Sequence, residues 1–197
     1  MKQGQLTELL YQALETETGG IQVYTTALKC AQNAELKKEW QEYLDQTKNH
    51  ERIMKEVCST LGLDIAKETP GRKVVRHIGQ SLVKAMEMAL QSGPPEAAEL
   101  VAAECVVLAE TKDHLNWELI GQSLEKLSGA QKKALTDAHE EVEEEEDKHL
   151  YHTQGWAREL WLRSLGMKAV LPPPEEEKDV TTAIGAARAK QSRQEMV

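Results

Sequence analysis

Residues 144–152 read EEEDKHLYH: four acids, a lysine and two histidines in nine positions. Within that run Glu146 and His149 are three apart, so on a helix they share one face. A carboxylate and an imidazole on one buried face can bind a cation, exchange protons or satisfy one another. Chemistry needs partners from other elements at the same depth. The other ionisable residues in line with apolar spacing are Glu17, His50, Glu110 and His114. Glu144, Glu145, Asp147 and Lys148 read as a solvated face.

The elements that carry these residues are helices. Ala, Leu, Glu, Lys and Gln dominate, Phe is absent, and glycine and proline are sparse before the C-terminal region. Apolar spacing predicts a first helix over about Leu6–Ala31, a second over about Glu35–Leu61, a shorter one over about Val74–Gln91, a fourth from near Glu96 to a break at 128–130, and a last over about Gln131–Leu165. Pro70-Gly71 reads as a turn. The expected fold is all-α: two antiparallel helical hairpins forming a four-helix bundle, with the short helix in the long crossover. Residues 1–170 form the bundle. Residues 171–197, opening on LPPPEEEKD, read as a Pro-rich, polar and flexible extension that can meet a partner.

Depth is the test of a shared site. Glu17 stands about sixteen residues before a turn near Asn33, and His50 about seventeen after it. Glu110 stands about nineteen before a turn near Gly129, and His149 about twenty after. At about 1.5 Å rise per residue, each hairpin sets one Glu level with one His. The halves also resemble each other. Tyr24 follows Glu17 by seven residues and Trp117 follows Glu110 by seven, while Thr47-x-x-His50 corresponds to Glu146-x-x-His149. His77, Glu104, His114, His139 and His152 fall off this level and read as structural or exposed. An inward cluster of three carboxylates and two imidazoles without thiolate suits iron or manganese.

These residues resemble the ferritin-like superfamily, in particular its rubrerythrin-like and bacterioferritin-like members, over roughly residues 5–165. The resemblance implies an inward Glu from the first and third long helices and Glu-x-x-His from the second and fourth. It implies metal ligands Glu17, His50, Glu110, Glu146 and His149, with Tyr24, Thr47 and Trp117 as their neighbours. It further implies two Fe or Mn ions and reaction with O2 or peroxide, as a ferroxidase or a peroxide scavenger drawing on Fe(II) or a separate electron donor. Thr47 departs from the pattern, standing where the family has a Glu that commonly bridges both metals. Three outcomes stay open: a dinuclear site with solvent in the gap, a single ion, or a degenerate structural site.

Storage in a hollow homo-oligomer is a second reading, which assembly state would separate from scavenging. A non-enzymatic interaction or stress-associated bundle is a third, and Thr47 supports it. A single-zinc hydrolase is set aside, since no HExxH run is present.

The formal charge of -9, with no basic stripe, argues against nucleic acid. Cys30, Cys58 and Cys105 form no CxxC pair, which excludes a zinc ribbon or rubredoxin-type iron site. No apolar run suits a membrane span or an export signal. A cytoplasmic protein is expected, helical even without metal.

Overall fold

Apolar periodicity becomes five long helices in the computed structural model, which describes residues 1–197: α1 (Gln3–Cys30), α2 (Ala34–Thr60), α3 (Pro70–Ser92), α4 (Pro95–Ser123) and α5 (Gly129–Ser164). Two short helices follow, α6 (Pro174–Glu177) and α7 (Ala183–Ser192). The molecule is an all-helical bundle without strands. No helix is long and apolar enough to cross a membrane.

Local chemistry sets the ends. The Asn33 side chain accepts from the amides of Glu35 and Leu36 and starts α2. Pro70 and Gly71 do not form a turn. Thr69 caps α3 by accepting from the Arg72 amide, and Pro70 takes the first helical position, where its missing N–H costs nothing. Gly62 and Gly166, at φ +65 and +73, carry the chain out of α2 and α5 in the left-handed region that glycine tolerates.

In the bundle α1 packs on α2 and α4, and α5 packs on α4 and α2. The crossover helix α3 lies on α1 and α4. It is held by Glu15, which accepts from Arg72 Nε at 3.0 Å and from Arg76 Nε at 2.6 Å. Burial opposes ionisation of Glu15, yet the two guanidiniums hold its carboxyl below the usual range.

The apolar core is split. One cluster of 17 buried residues includes Tyr24, Trp40, Tyr43, Met86 and Trp156. A second of 13 includes Leu10, Met54, Trp117, Ile120 and Leu135. Glu17, His50, Glu110, Glu146 and His149 are buried yet belong to neither. Two apolar clusters of that size hold the helices together independently of these polar side chains.

The extension expected to be flexible instead folds back on α5. Arg158 grips Glu175 through two bonds of 2.6 and 2.8 Å. Arg193 Nε donates to the fully buried Glu159 at 2.6 Å, and the Val170 amide donates to the same carboxylate at 2.8 Å. Gly155 permits the contact, because a Cβ there would lie 2.6 Å from Glu175 Oε2 and 2.8 Å from Pro173 Cβ. Gly155→Ala is expected to loosen the extension at a cost of roughly 1–3 kcal/mol. Limited proteolysis after residue 166 would then run faster than in the wild type; an unchanged cleavage rate would contradict the packing.

Candidate metal centre

Four of the five long helices deliver side chains to one level of the bundle. α1 supplies Glu17, α2 His50, α4 Glu110, and α5 Glu146 with His149, all at most 3% exposed. His50 Nδ1 lies 2.9 Å from Glu146 Oε1 and 3.8 Å from Glu17 Oε2. His149 Nδ1 lies 3.5 Å from both Glu110 Oε2 and Glu146 Oε1. The imidazoles stack with ring centres 5.7 Å apart. The four residues selected by equal distance from the turns, and Glu146 selected by its spacing of three from His149, therefore meet.

A sixth belongs with them. Asp113 on α4 is 4% exposed, and its Oδ1 has no hydrogen-bond partner. Ligand atoms of Glu17, Asp113 and Glu146 lie within 4.8 Å of one another, as do those of His50, Glu146 and His149. Glu146 is common to both groups. The signal for Asp113 was present in the sequence: it follows Glu110 by three, as His149 follows Glu146, and stands sixteen residues before Gly129 while Glu146 stands seventeen after.

Thr47 donates its hydroxyl back to the Tyr43 carbonyl at 2.8 Å. Its methyl fills the notch left by Gly20, where a Cβ would sit 3.1 Å away. Trp117 Nε1 donates to Glu17 Oε1 at 2.8 Å, so it serves the carboxylate of the other half of the chain rather than Glu110 on its own helix. Tyr24 is fully buried with its hydroxyl unpartnered, and burial together with the nearby Glu110 charge pushes its phenol well up.

The outward nitrogens of both histidines are held. His50 Nε2 is 2.7 Å from Glu145 Oε2, and His149 Nε2 is 2.8 Å from Gln46 Oε1. Glu145 therefore does not belong to a purely solvated face, and Asp147 likewise pairs with His114 at 2.8 Å. With Nε2–H donating outward, each Nδ1 faces the centre. His77 is exposed and His139 sits beside Glu143 at 3.3 Å, both off the level. Glu104 accepts from Trp161 at the surface.

The electrostatics follow from crowding. Burial, then the charges of Asp113 and Glu146, push the Glu17 carboxyl well up. Burial with Glu146 and Glu110 does the same to Asp113. Burial, then the Glu146 charge, also raises Glu110, with His149 opposing. Burial would raise Glu146 too, but His149 and His50 win and hold it at about 2. Burial would lower His149, yet Glu110 and Glu146 raise it to about 10. At neutral pH the metal-free centre pairs the His149 imidazolium with the Glu146 carboxylate, while Glu17, Asp113 and Glu110 ionise less readily than free carboxyls.

The sign of the pH effect is fixed by these directions. Glu17 and Asp113 hold protons more tightly folded than unfolded, so their contribution is present below about pH 4 and is lost as pH rises. His149 adds the same sign between about pH 6.5 and its folded value of about 10. Glu146 contributes stability above about pH 4.3 that is lost as pH falls toward 2. In chelator, helical circular dichroism at 20 °C is expected to persist, while the Tm falls between pH 5.5 and 8.5 by on the order of 5–10 °C. A cation that displaces these protons raises the Tm more at pH 8.5 than at 5.5. A Tm in chelator that rises over this interval would contradict the assignment.

No protein-family model, curated protein or solved structure matches the chain. The functional reading rests on this geometry and on the residue pattern.

Proposed function

We propose that the chain is a ferritin-like metalloprotein whose bundle core holds two iron or manganese ions and reacts with O2 or hydrogen peroxide. The observation that carries this reading is shared by six side chains. Glu17, His50, Glu110, Asp113, Glu146 and His149 each keep one buried polar atom without a hydrogen-bond partner, even where a neighbour is near. Unpartnered buried carboxylate and imidazole atoms are costly, and cations offset that cost. Four carboxylates with two imidazoles and no thiolate suit Fe or Mn over soft-ligand metals.

Glu17 and Asp113 form one side of the centre and the two histidines the other. Glu146 belongs to both groups and suits the shared position, with Glu110 beside His149. Asp113 supplies a fourth carboxylate that Thr47 does not, which answers the main objection to a complete site. When bound, two such ions supply the charge and electrons for reducing O2 or peroxide.

The chain's own part is to bind, orient and exclude water. Glu145 and Gln46 hold the imidazoles with Nδ1 inward. Trp117 fixes one oxygen of Glu17 and leaves the other free. Tyr24, Trp40 and Trp156 lie in the apolar cluster on one side and Met54 and Trp117 in the cluster on the other, keeping bulk water from the level between. His149 carries a proton at neutral pH that a cation must displace, and Glu17 and Asp113 ionise less readily than free carboxyls, so loading is expected to acidify a weakly buffered solution.

Anaerobic protein loaded with Fe(II), then exposed to O2 or H2O2, tests the reading. Oxidation of protein-bound iron faster than that of free Fe(II) at the same pH, lost in Glu17→Ala, is expected. Oxidation no faster than in buffer would favour the non-enzymatic reading. Light scattering then separates storage in a large hollow assembly from scavenging by a monomer or dimer.

A further inference from the structure

A cleft of about 650 Å³ opens between α2, α5 and the returning extension, and most of its lining side chains are acidic. An acidic rim by itself is a solvated surface. The wall between this cleft and the inner centre is different. Tyr43 lines the cleft, yet it is only 4% exposed, and its ring centre lies 4.2 Å from that of His149. Its hydroxyl donates to Glu39 Oε1 at 2.5 Å and lies 3.0 Å from His152 Nδ1. His152 Nδ1 is in turn 3.0 Å from the same Glu39 oxygen, which steadies the carboxylate against the phenol. One side chain thus meets an inner histidine with its ring and a carboxylate of the cleft with its hydroxyl.

The other aromatic side chains beside the centre lack one of these two contacts. Tyr24 is fully buried, its ring lies 6.0 Å from that of His149, and its hydroxyl has no partner to take a proton. Trp117 donates to Glu17, but it is closed in by the apolar cluster that includes Leu10, Met54 and Leu135. A phenol keeps its proton at neutral pH, so losing an electron there calls for a base within hydrogen-bond reach. Tyr43 has that base in Glu39.

Resting on the reading of the inner centre as a di-iron site, we propose that Tyr43 is a redox relay. It carries single electrons from a donor in the cleft to the inner centre, and Glu39 takes and returns the phenolic proton. Reduction of O2 to two waters takes four electrons and four protons. Two Fe(II) ions supply two of the electrons as they become Fe(III), so the other two come from outside the centre. In the relay, Tyr43 gives one electron through the ring of His149. Its O–H bond breaks, the proton passes to Glu39 Oε1, and a neutral phenoxyl radical remains. Fe(II) drawn into the cleft by its acidic walls then gives one electron to the radical and becomes Fe(III). Glu39 returns the proton and the phenol is restored. Two such cycles complete the four electrons, and the four protons of the two waters come from solvent.

Rapid-freeze electron paramagnetic resonance of the full chain, loaded with Fe(II) and mixed with O2, tests the relay, with bound iron counted in the same samples. A tyrosyl radical present in wild type and in Tyr24→Phe, and lost in Tyr43→Phe at unchanged iron content, is expected. Glu39→Gln should slow its formation by on the order of 100-fold, the usual worth of a positioned proton acceptor. A radical undiminished in Tyr43→Phe would overturn the proposal, as would its absence from iron-loaded wild type. Metal-free protein gives a second reading, independent of the centre. Azide radicals remove one electron from the stripped chain, and the vacancy migrates to the most easily oxidised side chain, where a phenoxyl has its own absorbance. Loss of that absorbance in Tyr43→Phe but not in Tyr24→Phe supports Tyr43 as the oxidisable phenol; equal absorbance in wild type and Tyr43→Phe overturns it. Wild type that binds no iron would overturn the metal centre, while the stripped protein still decides for or against Tyr43.

Discussion

Replacing Glu146 by alanine is expected to weaken Fe(II) or Mn(II) binding by ~100-fold or more, and replacing Asp113 by alanine nearly as much. Even indirect partners of a bound metal cost ~10–100-fold when removed, and Glu146 is the one side chain shared by both groups of converging donors. Its loss also leaves the raised His149 without one of the two carboxylates that hold its proton. Asp113 brings a buried oxygen with no other partner. Thr47→Ala is the control: its hydroxyl is spent on the Tyr43 carbonyl, so metal content should not change. Equilibrium dialysis against a metal buffer measures all three. Asp113→Ala binding like wild type would remove it from the centre, and a large loss in Thr47→Ala would restore Thr47 as a participant.

The largest effect away from the centre is expected at the joint between α3 and α1. Arg72→Ala should lower the free energy of unfolding by about 3 kcal/mol, since breaking one side of a buried ion pair leaves uncompensated charge. Arg72 is 7% exposed and Glu15 5%. The guanidinium also donates to the carbonyls of Ile65 at 2.6 Å and Lys67 at 3.0 Å, so its removal strips partners from the loop before α3. Arg76 still reaches Glu15, which limits the loss to the lower end of the usual range. A Tm lower by roughly 6–12 °C is the expected reading, with metal binding intact. A Tm within 2 °C of wild type would show that Arg76 alone holds the helix.

How much of this was legible beforehand can be followed residue by residue. Periodicity located all five long helices, because each buries an apolar stripe that repeats every three or four residues. Their ends were less legible: Pro70-Gly71 has turn composition, and only Thr69 one position earlier marks it as a helix start. Glu17, His50, Glu110 and His149 could be found because hairpin geometry turns sequence distance into depth, and Glu146 because it shares a helix face with His149 three residues on. Asp113 passed unnoticed because the pattern sought there was a single Glu, although the same arithmetic reaches it. Glu145 and Gln46 were not legible, since each sits beside the inward stripe and reaches the histidines sideways. The extension shows the limit of composition. Proline and charge favour disorder, and only the distant partners Arg158, Glu159 and Gly155 hold it in place.

The central claim is that six converging side chains are a metal centre and not a buried polar network satisfied by protons. The measurement that bears on it most directly is the number of Fe(II) ions retained per chain after anaerobic loading and gel filtration at pH 7.5. It is made on the wild type and on Glu146→Ala/His149→Ala. Two ions per chain in the first, falling to none in the second while the helical signal is unchanged, is the predicted result. The same low iron content in both proteins would contradict it and leave the centre as a cluster of shared protons inside a helical bundle.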